Sequence, residues 1–290
     1  MAIVTKSTRK TFVIRPSGRS TDFIAPSFGH GCLYNCTYCY MKRHKDEGLD
    51  IATNANEILT AVNNHCTFAD VEKPNQTHPE YITYDISCNE DFALHAKYHK
   101  WEYIFDFFKN HPIAMGSFAT KYVNKKLLDY NPKGKIRIRF SLMPNDLQDI
   151  LEPKTSSIPA RLFAVSNFLK AGYEVHLNFS PVIVCENWLR KYEALFQQIA
   201  SVAKYHGWDD DRVKAEVIFL THNERKHAHN LIYDLPGENL LWTPENQESK
   251  ISQYGGKNIR YQHKLKEKYI NEFIDLHDRI IPWNTIRYIF

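Results

Sequence analysis

The stretch Cys32-Leu33-Tyr34-Asn35-Cys36-Thr37-Tyr38-Cys39-Tyr40 decides the reading of this chain. Three thiols spaced four and then three positions apart can serve as ligands to one metal centre. A cubane [4Fe–4S] cluster usually takes four cysteine ligands, so three would leave one iron open to something other than protein. Zinc in a Cys3His site, with His30 as the fourth ligand, stays open as an alternative. The single residue between His30 and Cys32 is tight for tetrahedral zinc. A disulfide fits poorly, because pairs this close on a loop close only small strained rings.

The composition frames this centre. The 290 residues carry 43% hydrophobic and 24% charged side chains, an ordinary globular balance for one large domain or two small ones. No stretch approaches the roughly 20 apolar residues of a membrane span, and the first ten residues lack an apolar signal core. Six cysteines, three of them in one motif, do not resemble a secreted disulfide framework. The expectation is a reduced, cytoplasmic setting. The formal charge of +4 is unevenly placed, with Lys6, Arg9, Lys10, Arg15 and Arg19 all preceding Asp22. A basic arm over residues 1–22 can neutralise phosphates and draw a protein to nucleic acid, and it can equally be a solvated tail. The 17 Tyr and 17 Phe are read mainly as packing.

Strand-length apolar runs alternate with helical periods, which argues for an α/β protein with a mostly parallel sheet. Strands are expected at 23–26, leading into the cysteine loop, and at 81–86, 113–118, 135–141, 175–184 and 213–220. Pro181 interrupts or ends the fifth of these. Helices are expected at 56–64, across Tyr98, Trp101, Ile104, Phe105 and Phe108, at 124–130, from Pro159 to Lys170, and at 188–205. Past residue 222 the pattern weakens, and 269–281 reads as a last helix or strand. The economical division is an arm (1–22), a core (23–222) and a C-terminal extension (223–290) that covers substrate. The histidine-rich run 222–229 reads as a solvated helix start rather than a second metal site. Cys66 and Cys185 read as structural.

The spacing CxxxCxxC followed by Tyr40 resembles the radical S-adenosylmethionine (SAM) superfamily. That resemblance implies a partial (β/α)6 barrel and a [4Fe–4S] cluster on Cys32, Cys36 and Cys39, with SAM on the open iron. Beyond the loop, the chain is similar to the spore photoproduct lyase family, patchily from residue 25 to 261. Phe140-Ser141-Leu142, Glu152-Pro153-Lys154-Thr155-Ser156, Ala171-Gly172-Tyr173, Ser180-Pro181, Thr120-Lys121 and Tyr254-Gly255-Gly256-Lys257 match family segments in family order.

The resemblance implies repair of a methylene-bridged thymine dimer in DNA, with an electron donor such as flavodoxin or ferredoxin. It makes Cys88, in Ser87-Cys88-Asn89-Glu90-Asp91, the hydrogen-atom donor to the product radical. A lone cysteine is otherwise usually a small buried hydrophobe. Tyr38 and Tyr40 would relay hydrogen back toward SAM. Lys121 would approach the SAM carboxylate, Ser141 the ribose or carboxylate, Ser180 the adenine and Glu90 the amino group. Asn89-Glu90 stands where the family has Thr-Ser, and that departure bears on the substrate. The alternatives are another nucleotide, RNA or peptide substrate in the same lineage, or a zinc-bearing nucleic-acid-binding module.

Overall fold

The computed structural model describes residues 3–43, 45, 47–68, 72–251 and 257–290. The N-terminal segment carries β1 (Val4–Ser7) and β2 (Arg15–Pro16), followed by β3 (Phe23–Ile24) and β4 (Gly29–Gly31). After the cysteine loop come β5 (Leu49–Ala52), α1 (Ala55–Phe68), β6 (Ile82–Asp85), α2 (Phe92–His95), α3 (Trp101–Asn110) and β7 (Ala114–Thr120). The next stretch holds β8 (Ile136–Ser141), α4 (Asn145–Leu151), α5 (Ile158–Lys170), β9 (Glu174–Val182), α6 (Trp188–His206) and β10 (Lys214–Phe219). The last comprises β11 (Thr221–His222), α7 (Glu224–Ile232), α8 (Glu238–Leu241), β12 (Gln247–Ile251), β13 (Lys257–Tyr261), α9 (His263–Ile280) and β14 (Ile286–Ile289).

The main sheet has the order β14-β10-β9-β8-β7-β6-β3-β2. Pairing is parallel from β3 through β6 and β7 to β8, and again between β10 and β14. Six strands, β3 and β6 to β10, follow one another across the sheet in chain order. That is the partial (β/α)6 barrel anticipated from the sequence. Among the described residues no helix is long and apolar enough to cross a membrane.

The chain forms two compact units. The first comprises Met1–Leu33, Lys45–Phe140 and Ala164–His176. The second comprises Tyr34–His44, Ser141–Phe163 and Leu177–Phe290. In the first unit, Ile104, Phe105 and Phe108 of α3 face the core with Phe118 and Phe92. Tyr98, placed with them by periodicity, lies instead in a short 3-10 turn before the helix. The expected arm is partly structured: β1 pairs with β5, and Arg9 bridges Asp50 at 2.6 Å.

Three differences from the pattern have physical causes. The helix expected at 124–130 is a five-residue 3-10 turn, Lys125–Asp129, capped by Asn124, because Pro132 and Gly134 cut the segment short. In β8 the apolar alternation is present, yet all six residues are buried. Arg137 and Arg139 fill the opposite face as ion pairs with Glu174 (2.8 Å) and Asp85 (2.6 Å). The last strand, β14, has no counterpart among the expected elements. Its Arg287 lies 2.6 Å from the fully buried Glu216 of β10, so a buried carboxylate draws the chain end back onto the sheet.

Arg137 also donates to the Thr77 carbonyl at 2.9 Å. Breaking a buried pair by removing one partner typically costs about 3–5 kcal/mol. Arg137→Ala should therefore lower the unfolding free energy by roughly 3 kcal/mol in urea titrations. A loss of well under 1 kcal/mol would show that this pair contributes little.

Candidate active site

In the first unit, β4 delivers the chain to Cys32 by pairing antiparallel with β5. Gly31 sits at φ +103°, and a Cβ there would meet the Gly48 carbonyl at 2.5 Å, so only glycine fits. Its N–H donates to the Asn89 carbonyl at 3.0 Å. The next free amide, Leu33 N–H, donates to His95 Nε2 at 3.3 Å. An accepting Nε2 leaves the proton on Nδ1, which donates to Glu90 Oε2 at 3.0 Å. The loop backbone and the Glu90 carboxylate are thus joined through one imidazole.

The segment Ser87 to Asp91 follows the C-terminal end of β6, and Cys88 is half-buried there. Glu90 is turned inward with a fully buried side chain. His99 Nε2 also donates to its Oε2, at 2.9 Å, while Oε1 has no hydrogen-bond partner among the described residues. A Cβ on Gly29 would stand 2.4 Å from this carboxylate, so that glycine makes its room. Burial pushes the Glu90 pKa up, but the charge of His99 and the hydrogen bonds from both histidines bring it down to about 2. Asp91 does three tasks: it caps α2 through the Leu94 amide, accepts from Thr120 Oγ1 at 2.7 Å, and accepts from the Lys121 amide at 2.8 Å. Lys121 is thereby fixed at the end of β7, beside the turn that carries Cys88 and Glu90.

In the second unit, Cys36 is buried and Cys39 half-buried, with Cys39 N–H closing a turn onto the Cys36 carbonyl at 3.0 Å. Among the described residues none of the three loop cysteines is in a disulfide. Between them, Thr37 takes a bond at each polar group. Its N–H donates to the Leu151 carbonyl at 3.0 Å, its hydroxyl to the Pro236 carbonyl at 2.9 Å, and its carbonyl accepts from Asn230 at 3.0 Å.

Tyr38 points inward and donates to Glu152 Oε1. Burial, followed by the Glu152 charge, holds its phenol well above the ordinary range. Arg161 grips Glu152 Oε2 at 2.6 Å and also donates to the Ser141 carbonyl at 2.7 Å. Tyr38 and Ser141 therefore share one buried ion pair. Ser180 lies near the end of β9 before a cis Pro181, and the strand runs through that proline to Val182. Tyr40, in contrast, is 44% exposed at the start of a 3-10 turn.

Sequence reasoning missed Asp91, His95, His99 and Arg161. Their contacts are made by folding, and a buried salt bridge nine residues apart leaves no local signature. It also misjudged the run at 222–229. His222 and Lys226 are buried, and Asn223 caps α7 by accepting from the Lys226 amide at 2.9 Å. Cys66 is buried against His111, as a structural cysteine would be. The segment Tyr254-Gly255-Gly256 lies outside the described residues.

A family model described as spore photoproduct lyase matches residues 2–290. The chain belongs to the spore photoproduct lyase family. It is accordingly a lyase of the radical SAM class. The spore photoproduct lyase of Bacillus subtilis (strain 168) is 27% identical over 277 residues, covering 91% of this chain and 77% of that protein. The Clostridium acetobutylicum enzyme of the same name is 25% identical over 83% of this chain and 70% of its own length. Among solved structures, a cysteine-to-alanine variant of spore photoproduct lyase with dinucleoside spore photoproduct superposes with a TM-score of 0.87 at 22% identity. That match covers 99% of this chain and 82% of the other. A more distant neighbour, native anSMEcpe with bound AdoMet, superposes with a TM-score of 0.52 at 12% identity, over 91% of this chain and 62% of the other. These superpositions establish the fold.

In this family member the ionisation of Glu90 is tied to stability. Its folded pKa of about 2 lies below the ordinary 4.5. The stability it contributes is therefore present above the ordinary value and lost as pH falls through about 2. The gap in denaturation midpoint between the natural protein and Glu90→Gln should narrow from about pH 6 to about pH 3. A gap that stays constant or widens would place the ionised carboxylate elsewhere.

Proposed function

We propose that this chain repairs the spore photoproduct in DNA, using SAM and a [4Fe–4S] cluster held by Cys32, Cys36 and Cys39. The observation that carries this reading is the family match across residues 2–290, which contains the three-thiol loop and, past β6, Cys88. The residues present fit both groups. Three cysteines outside any disulfide among the described residues would supply the donor set of an iron–sulfur site with one iron left open. Glu90 offers a buried, ionised oxygen with no hydrogen-bond donor among the described residues, which on charge suits the SAM ammonium. When bound, the cluster and SAM together supply a one-electron reduction that releases methionine and a 5′-deoxyadenosyl radical.

The chain's own side chains do the rest. Lys121, whose backbone amide is held by Asp91, would meet the SAM carboxylate. Ser141 and Ser180 contribute from β8 and β9. After the lesion's bridge opens, Cys88 gives a hydrogen atom to the thymine allyl radical: the S–H bond breaks, a C–H bond forms and a thiyl remains. The S–H bond is weaker than an ordinary alkyl C–H and comparable with an allylic one, so the transfer carries little thermodynamic cost. Tyr38 and Tyr40 would relay hydrogen back toward SAM: a phenol O–H breaks as the Cys88 S–H re-forms, and the phenoxyl radical left behind takes its hydrogen atom from 5′-deoxyadenosine. The raised pKa of Tyr38 supports this role, because a phenol that keeps its proton still has a hydrogen atom to pass. Residues 1–22 and 223–290 are candidate DNA contacts, and a flavodoxin or ferredoxin is the fitting electron source. The Asn89-Glu90 departure favours, as second reading, another nucleotide, RNA or peptide substrate.

The test supplies SAM, dithionite and a dinucleotide spore photoproduct under anaerobic conditions. The expected products are 5′-deoxyadenosine and thymidylyl-thymidine; 5′-deoxyadenosine without thymidylyl-thymidine would shift the reading to another substrate. Cys88→Ala should cleave SAM yet misroute the product radical, and normal repair by that variant would remove Cys88 from the mechanism. Glu90→Gln should weaken SAM binding by about tenfold or more, since a charged hydrogen bond contributes roughly 1.5–3 kcal/mol. Iron content should not change. A fall in iron with SAM affinity preserved would instead make Glu90 a positioning residue acting through His95.

A further inference from the structure

The histidine-rich run does not dissolve into solvent. Within the second unit, His222 closes β11, His227 stands on α7 and Glu238 opens α8. Their ligand atoms all lie within 4.8 Å of one another, the one such group of three among the described residues. His222 Nε2 is 2.9 Å from Glu238 Oε1, and His227 Nδ1 is 2.6 Å from the same oxygen. His222 is 1% exposed and Glu238 is 7% exposed.

We propose that His222, His227 and Glu238 bind a divalent transition-metal cation, zinc above all, at a site separate from the cysteine loop. Two imidazoles and a carboxylate are a known zinc donor set, with bonds of about 2.0–2.2 Å. Such bonds need only a slight opening of the spacing seen here. The surroundings match a metal site as well. Carboxylates that bind metal are themselves hydrogen-bonded, and Glu238 Oε2 accepts from Asn230 Nδ2, which leaves Oε1 facing the imidazoles. The ring of His227 is held by stacking on Trp242, with centroids 4.0 Å apart and planes 13° from parallel.

An independent observation points to a ligand. Beside the trio, His222 Nδ1 and Asn230 Oδ1 are both buried without a hydrogen-bond partner among the described residues. The cluster thus has more polar capacity than the protein's own groups satisfy, a condition that often marks a water or an ion. The consequence reaches the cysteine loop. The Asn230 amide that orients Glu238 also donates to the Thr37 carbonyl, between Cys36 and Tyr38. An ion at this site would lock β11, α7 and α8 together behind that carbonyl.

The test is zinc binding by the anaerobically reconstituted protein, in which the cysteines are occupied. After equilibration against a weak chelator, metal analysis should find about one zinc per chain. His227→Ala and Glu238→Gln should each lose it while iron and sulfide stay unchanged. Asn230→Ala, which removes the carboxylate's partner, should weaken zinc roughly 10–100-fold. Cobalt(II) added to the natural protein should give weak visible bands without the intense near-ultraviolet absorption of a cobalt–thiolate bond. This arm stands even if a variant fails to fold. Absence of bound zinc, binding that the variants leave unaltered, or a thiolate spectrum would each overturn the proposal.

Discussion

The cysteine loop must be rigid without secondary structure of its own, and Thr37 shows how that is met. Its amide, hydroxyl and carbonyl are each committed to a different partner: Leu151, Pro236 and Asn230. A buried backbone group left unpaired costs about 1–3 kcal/mol, so three committed groups hold this residue in one position. In the first unit the same task falls to Gly31 and Leu33, whose amides are taken by Asn89 and His95. Within the second unit, a segment fixed in this way can present the Cys36 and Cys39 thiolates before any metal arrives. Preorganisation of that kind is what a metal site demands of its supporting residues.

Buried carboxylates recur behind the loop, each with at least one oxygen held by a cationic or imidazole partner. Glu90 takes His95 and His99, Glu152 takes Arg161 and Tyr38, and Glu238 takes His222, His227 and Asn230. Charges this deep are tolerated only when paired. Their pairing also sets the chemistry of what they touch. Burial, and after it the Glu152 charge, keeps the Tyr38 phenol protonated, while His99 and His95 keep Glu90 ionised. One fold thereby holds a proton on one residue and removes it from another.

Much of the architecture was legible, because period and length report directly on parallel strands and the helices between them. The helix at Ile158–Lys170 and the strand at Glu174–Val182 lie where the pattern put them. What was not legible depended on contacts far apart in the chain. Strand β14 forms because Arg287 meets buried Glu216, and nothing in Ile286-Arg287-Tyr288-Ile289 announces that partner. The site divides in the same way. The thiols stand out as candidates by their spacing, and Cys88 and Lys121 as candidates by the order of family segments. Asp91, His95 and Arg161 do not, since their role is to fix other residues. The run from 222 to 229 misled for a related reason: a polar, histidine-rich helix start looks solvated until Glu238 is folded against it.

The account rests on what the three loop thiols hold. Iron and sulfide analysis of the anaerobically reconstituted protein, with electron paramagnetic resonance after reduction and on adding SAM, addresses this most directly. The account predicts roughly four iron and four sulfide per chain, a reduced-cluster signal that SAM alters, and loss of both in Cys36→Ala. A colourless protein without sulfide, carrying zinc on Cys32, Cys36 and Cys39, would contradict it.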